Sequence, residues 1–251
     1  MNRRRLLKSL AGLALCPLCA PTGFAAEGEH WGYQGGQGPD KWGELDDANR
    51  ACSIGSQQSP IDIGETIKSK LPRLKIAWAK RAESIVNNGH TIQVNMTAGS
   101  VLAVAKENYA LQQFHFHRPS EHLIGGKAFP MEVHFVHRNA AGGLAVVGVL
   151  MQTGRANRVF AKVTATMPTS AGPAMSADAG IDPNGLLPAR RSYYRYSGSL
   201  TTPPCSETVE WLLLTEPTRV AAADVEKFAQ LYPLNARPAQ KPNRRFVLRS
   251  A

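Results

Sequence analysis

The chain has no internal repeat and no Pro/Gly-rich linker placed where it would split two domains, so its 251 residues read as one domain. It has no dense Lys/Arg run in its body, which argues against a nucleic-acid partner, because such binding needs a clustered basic face. It has no His-rich tract and no closed four-ligand Cys/His pattern, which argues against a metal-storage protein. It has no apolar run long enough to span a bilayer. Cysteine is scarce: of four, Cys16 and Cys19 lie near the N-terminus, and only Cys52 and Cys205 lie in the body of the chain. What is present is ample core material, 43% hydrophobic residues, and seven histidines.

Residues 1–26 read as an export signal. Arg3, Arg4, Arg5 and Lys8 form a basic start, Leu10 to Ala20 a short apolar stretch, and Gly23-Phe24-Ala25-Ala26 a small-residue end. The run Asn2-Arg3-Arg4-Arg5-Leu6-Leu7-Lys8 resembles a twin-arginine signal, with an ordinary Sec signal as the alternative. Leu15 and Leu18 are large for residues preceding a lipidated cysteine, which argues against a lipid anchor. Removing this segment and its four cations takes the formal charge from +10 to +6. An exported chain with two remaining cysteines suggests one disulfide, with two buried free thiols as the alternative. A bridge between them would close a loop of more than 150 residues, for which the chain-entropy account gives about 5 kcal/mol.

Along residues 27–251 the pattern is of many short strands and few helices. Thr91 to Met96 alternates polar and apolar residues after the Asn88-Gly89 turn signal. Val101 to Val104, Leu111 to His117, Met131 to Arg138, Leu144 to Gln152 and Thr208 to Thr215 are further strand candidates. The fourth of these follows the third through Gly142-Gly143. Val159, Phe160, Val163 and Met167 have helical spacing, as do Val225, Phe228 and Leu231. Pro168 to Pro188, rich in Pro, Gly, Ala and Ser, reads as a long surface loop. The class is mainly β (α+β), a single sheet-dominated domain.

The histidines carry the chemistry. As a strand, Phe114-His115-Phe116-His117 puts both histidines on one face, roughly 6–7 Å apart, and both phenylalanines on the other. In Glu132-Val133-His134, Glu132 and His134 share a face. If the two strands pair, His115, His117 and His134 converge. Three neutral imidazoles with a fourth position open are the ligand set of a catalytic zinc site. A lone His-x-His between aromatics is more often core, and a third histidine with an in-phase Glu does not settle the matter.

Taken together, the residues resemble an α-class carbonic anhydrase of the exported bacterial type. The likeness runs in order through His30-Trp31-Gly32-Tyr33, Gln58-Ser59-Pro60-Ile61, Asn88-Gly89-His90, Gln113 to His117, Ser120-Glu121-His122, Glu132 to His137, Ser199-Leu200-Thr201-Thr202-Pro203-Pro204 and Asn235-Ala236-Arg237-Pro238. It implies a large, twisted, mostly antiparallel central sheet of about ten strands with short peripheral helices. It also implies Zn2+ on His115, His117 and His134, and a small-molecule substrate, carbon dioxide or bicarbonate.

Hydrating carbon dioxide at neutral pH needs hydroxide, and zinc on three neutral ligands brings a bound water from a pKa near 15.7 to about 7. The resemblance gives Gln113 and Glu132 the task of orienting His115 and His134. Thr201 would align the nucleophile and donate to a buried Glu121, while Thr202 would contact bicarbonate. Val136, Val146, Leu200, Val209 and Trp211 would form the apolar wall for a substrate without a net dipole. His90 would relay the proton released at each turnover, through water ordered by Tyr33, Asn88 and Gln93. Cys52 and Cys205 fit a disulfide bracing the Thr201–Thr202 loop, and Asn243 would support a ligand hydrogen bond from the tail. His122 is expected in the core, and His30 and His137 to be structural or exposed. Arg118 stands where vertebrate members carry Trp, which leaves its place at the cleft rim open. Weak esterase activity through the same hydroxide, a periplasmic location and, by analogy alone, a homodimer complete the expectations. A catalytically silent binding module on this fold is the competing class; silent relatives lose zinc histidines, and this chain keeps all three.

Overall fold

Residues 30–251 are described in the computed structural model of the chain. The export-signal reading falls on residues outside that range.

Alternation builds the sheet. Ile92, Val94 and Met96 are buried while Gln93 and Asn95 between them are half-buried, the two-residue period of a strand with one face in a core. This strand, Ile92–Met96, pairs antiparallel with Ala82–Asn87. The connecting turn is closed by the Asn88 carboxamide, whose Oδ1 accepts the main-chain N–H of His90 and of Thr91, both at 2.9 Å. Gly89 supplies a φ of +87°, which a side chain would strain. His90 therefore sits at a hairpin end fixed by local chemistry.

Ten strands follow one another across the main sheet: Met175–Ser176, Ala82–Asn87, Ile92–Met96, Glu107–His117, Met131–Arg138, Leu144–Thr153, Val209–Leu214, Tyr193–Gly198, Leu248–Ser250 and Ile67–Ser69. Three more, Lys75–Ala77, Val101–Val104 and Thr218–Val220, pair at its sides and bring the total to thirteen. Most neighbours are antiparallel. Leu144–Thr153 is parallel to Val209–Leu214 and to Thr218–Val220, as Leu248–Ser250 is to Ile67–Ser69. The mainly β reading and the strand count of the central path both hold.

The two faces of the sheet differ. One carries Phe114, Phe116, Val133, Phe135, Val147 and Val149 in the larger core. Two helices cover it, Arg158–Thr166 and Ala222–Leu231, with Phe160 and Phe228 5.2 and 6.2 Å from the Phe116 ring. Burying each of these phenylalanines contributes roughly 1.5–3 kcal/mol. Asn157 caps the first helix, its Oδ1 accepting from the N–H groups of Val159 and Phe160. The other face carries the histidines beside a smaller apolar cluster of Ile61, Val146, Tyr196, Val209, Trp211 and Leu213.

One expectation needs correction. The stretch from 168 to 188 is not surface throughout: Pro183–Leu186 forms a 3-10 turn, and Ile181 and Leu186 are fully buried in the larger core. Its composition conceals two apolar anchors. Arg118, whose place the sequence leaves open, donates from Nη1 to the Pro233 carbonyl at 2.7 Å and lies beside Pro119, Pro130 and Ala222.

Candidate metal centre and active site

The site is set by strand register. His115 lies directly opposite His134, and His117 opposite Glu132, on the antiparallel pair Glu107–His117 and Met131–Arg138. A bulge between Leu111 and Gln113 reverses the alternation. Leu111 before it faces the larger core, and Gln113, His115 and His117 after it face the site.

Each imidazole is held by its outer nitrogen. His115 Nδ1 donates to Gln113 Oε1, His117 Nδ1 to the Asn235 main-chain oxygen, and His134 Nε2 to Glu132 Oε1, all at 2.8 Å. The acceptors can only accept, so the ring proton lies outward in all three. That leaves His115 Nε2, His117 Nε2 and His134 Nδ1 as inward lone pairs, from rings within 4.5–5.4 Å of one another. The three residues offer ligand atoms that all lie within 4.8 Å. Burial pulls all three pKa values down, His117 to about 4 and His115 well below its ordinary value; repulsion from His117 and His134 adds to it at His115, while the Asn235 carbonyl at His117 and Glu132 at His134 pull the other way. Neutral donors at physiological pH are what a divalent cation needs. His117 Nε2 is buried without a partner, the orphan expected of an atom oriented for a metal. The residues therefore fit Zn2+.

A second trio, His122, Glu132 and His134, also has metal-like spacing, but its atoms already satisfy one another. Glu132 Oε1 accepts from His122 Nδ1 at 2.7 Å and His134 Nε2 at 2.8 Å, and Oε2 from the N–H groups of Glu121 and His122 at 3.0 and 2.9 Å. Burial would raise this carboxyl, but His122 and His134 outweigh it and hold it well below the usual range. His122 is a hydrogen-bonded core residue, as expected, with Nε2 2.6 Å from Tyr196 Oη. Gly148, opposite His134 on the next strand, leaves room for the Glu132 carboxylate: a Cβ there would lie 3.1 Å from Oε1 and 2.8 Å from Leu213 Cδ1.

Glu121 is fully buried, its Oε1 accepting the Arg237 N–H at 2.9 Å. Its Oε2 lies 3.5 Å from His117 Nε2 and 3.8 Å from His134 Nδ1 and accepts no hydrogen bond. Burial raises it to about 7, against the opposing pull of His134, Thr201 and the Arg237 N–H. Thr201 thus stands beside Glu121.

The loop carrying Thr201 and Thr202 is fastened on several sides. Leu200 N–H donates to Ser206 O at 3.1 Å and Cys205 N–H to Thr202 O at 2.9 Å. Trp211 Nε1 donates to Ser199 O at 3.0 Å. Cys52 and Cys205 are disulfide-bonded across 153 positions, with Cα atoms 5.0 Å apart, a bridge that suits an oxidising compartment. Cys205 holds a φ of +57°, a strained position that the cross-link fastens. Val146, Val209 and Trp211 are buried in the smaller cluster, and Val136 and Leu200 pack against it, so the five apolar residues lie together.

His90 is half-buried. Its ring stacks on Trp31 at 3.6 Å and 6°, with His30 5.1 Å away. Burial, with help from His30, lowers it to about 4. Asn88 Nδ2 reaches Gln93 Oε1 at 3.5 Å, and Gln93 pairs with His115 across the sheet. The Tyr33 hydroxyl is pushed well up by burial, then by Glu121 and Tyr232, which keeps it a neutral donor. Asn243 does not reach the ligands: its Nδ2 donates to Ser56 O at 2.6 Å at the surface. The tail contributes through the Asn235 carbonyl instead, a main-chain acceptor with no signature of its own. Arg237, only 2% exposed, donates to Gln58 Oε1, Ser59 O and Cys52 O and lies over Trp42. Only the Asn235-Ala236-Arg237-Pro238 motif pointed to these two residues.

A family model described as eukaryotic-type carbonic anhydrase matches residues 37–251. The chain belongs to the α-class carbonic anhydrases. A carbonic anhydrase of Neisseria gonorrhoeae is 42% identical over 250 residues, 97% of this chain and 99% of the relative. One of Pectobacterium atrosepticum is 39% identical over 96% of this chain and all of its own length. The solved α-carbonic anhydrase of Thermovibrio ammonificans, in complex with sulfanilamide, superposes with a TM-score of 0.85 at 44% identity, over 87% of this chain and 98% of that one. Among the described residues, no helix is long and apolar enough to cross a membrane.

Proposed function

We propose that this chain interconverts carbon dioxide and bicarbonate with Zn2+ held by His115, His117 and His134. The observation that carries the reading is the set of three neutral inward imidazole nitrogens, each with its outer nitrogen held and one buried without a partner. Bound zinc would bring a coordinated water to a pKa near 7 and so provide hydroxide at neutral pH.

The chain's own residues do the rest. Gln113, Glu132 and the Asn235 carbonyl fix ring orientation. Thr201, with Glu121 behind it, aligns the nucleophile, and Thr202 contacts bicarbonate. Val136, Val146, Leu200, Val209 and Trp211 exclude water from the side where carbon dioxide enters. His90 takes the departing proton through water held by Tyr33, Asn88 and Gln93. Stacked on Trp31, with its pKa near 4, the imidazole carries a proton poorly at neutral pH. Off the stack, solvent returns it toward its ordinary value near 6.5, so the relay uses both poses. Residues 1–26 serve as the export signal, by the Sec or the twin-arginine route, and the mature enzyme works in the periplasm, where the disulfide forms.

Stopped-flow carbon dioxide hydration on zinc-loaded mature protein tests the reading, with His115→Ala alongside. The parent should exceed buffer by orders of magnitude and the variant should not. A parent rate no higher than buffer would sink the proposal. His90→Ala should lower turnover in weak buffer, with partial recovery on adding imidazole.

A further inference from the structure

Asn235 is fully buried, and every hydrogen-bonding group it has is engaged. Its main-chain N–H donates to Arg118 O at 3.0 Å, and its carbonyl accepts from His117 Nδ1 at 2.8 Å. Its side-chain Oδ1 accepts the Arg118 N–H at 2.7 Å. Its Nδ2 donates in two directions, to Phe116 O at 2.9 Å and to His90 O at 3.0 Å. The main chain of this one residue thus addresses the histidine strand. Its amide also reaches across to the hairpin end carrying His90. Thr91 Oγ1 donates to the same Phe116 carbonyl at 2.6 Å, so the hairpin end and the histidine strand meet at a shared clasp.

We propose that Asn235 is a positioning residue for proton transfer: by pinning the His90 peptide to the strand of His115 and His117, it fixes the reach of the His90 imidazole from the metal site. The inference rests on the reading of His90 as the relay. The hairpin end is also held by its own Asn88 carboxamide, which shapes the turn, and by Thr91 Oγ1 on the Phe116 carbonyl; the Asn235 amide holds the His90 carbonyl itself. Proton relay through water needs each heavy-atom step near 2.6–3.2 Å, and a displacement of about 1 Å is costly. The imidazole swings about a Cα whose place the Asn235 amide sets.

The chemistry makes the idea separable from a purely structural role. Replacing the side chain leaves the main-chain carbonyl available to His117, so ligand orientation is retained while the His90 clasp opens. In Asn235→Ala, turnover in weak buffer should fall by about tenfold, while kcat/KM for carbon dioxide falls far less, because bicarbonate forms before the proton is relayed. Added imidazole should restore much of the loss. In a His90→Ala background, Asn235→Ala should add almost nothing, since the group it positions is gone. Asn235→Asp, which keeps the Oδ1 acceptor and loses the donor, gives the same comparison if the alanine variant does not fold. Equal falls in kcat and kcat/KM, or a full additional loss on top of His90→Ala, would overturn the proposal. If His90→Ala leaves weak-buffer turnover unchanged, the relay reading itself is wrong and this inference goes with it. If His90→Ala slows turnover but Asn235→Ala and Asn235→Asp do not, the relay stands and only the positioning role is refuted.

Discussion

Glu132 shows how much one side chain can hold together. Its two oxygens receive four donors: two imidazoles and two main-chain N–H groups. In Glu132→Gln the carboxamide nitrogen must confront donors, leaving buried N–H groups without an acceptor. We expect zinc affinity to drop about 10- to 100-fold and stability by roughly 3–5 kcal/mol, read by chelator competition and by denaturant unfolding of the metal-free protein. Undiminished affinity would show that His134 needs no carboxylate to orient it. The lowered pKa of Glu132 gives the sign of its acid response: the stability it contributes is full above the unfolded value and is lost as pH falls through the folded one. Trp31 poses a second question at this scale. Its stacking covers one face of the half-buried His90 ring, so Trp31→Ala should raise the His90 pKa from about 4 toward 6.5. Histidine NMR titrations would reveal this, and an unmoved His90 resonance would mean that the stack does not set its pKa.

Between elements, the site depends on close approach and on a tether. Gly148 lies under His134, where the Glu132 carboxylate and Leu213 leave no space for a methyl group. Gly148→Ala should cost about 1–3 kcal/mol through overpacking and weaken zinc binding as Glu132 is displaced. Isothermal unfolding and zinc titration separate the two effects, and a variant as stable as the parent would mean that the neighbouring strand yields. The Cys52–Cys205 bridge ties the first described helices to the Thr201–Thr202 loop across 153 positions. The paired replacement Cys52→Ser with Cys205→Ser should cost about 2–5 kcal/mol and lower turnover, because the bridge anchors the residue whose main-chain N–H holds Thr202 O. Thermal melts with and without reductant, together with the hydration rate, check both parts; full turnover in the unbridged protein would limit the disulfide to stability.

Across the whole molecule, what could be read in advance was what local pattern records. Alternation located Ile92–Met96 and placed His115 and His117 on one face. Periodicity located the helices bearing Phe160 and Phe228. What could not be read were events with no local signature. The bulge after Leu111 reverses the strand's faces without any Gly or Pro to announce it. The acceptor for His117 is a main-chain carbonyl 118 positions away, and the tail asparagine expected to help, Asn243, lies at the surface instead. His137 belongs to the same category, because its placement depends on the whole sheet. It is fully buried on the face opposite the site, its Nδ1 donating to Ala145 O at 3.1 Å and its Nε2 without a partner. Burial lowers its pKa from 6.5 to about 4, against the upward pull of main-chain hydrogen bonds. Between those values the unfolded chain binds a proton that the folded one refuses. Stability is therefore undiminished above pH 6.5 and declines as pH falls toward 4, by about 3 kcal/mol in all from this group. Glu121, raised by burial in the metal-free protein, works in the opposite direction over part of this range, so the parent's pH curve alone cannot assign the slope. The difference between parent and His137→Gln can, because Glu121 is common to both. Urea unfolding of the two proteins from pH 7 to pH 4.5 should show the variant losing less stability on acidification than the parent. Parallel curves would mean that His137 accepts its proton without unfolding the sheet around it.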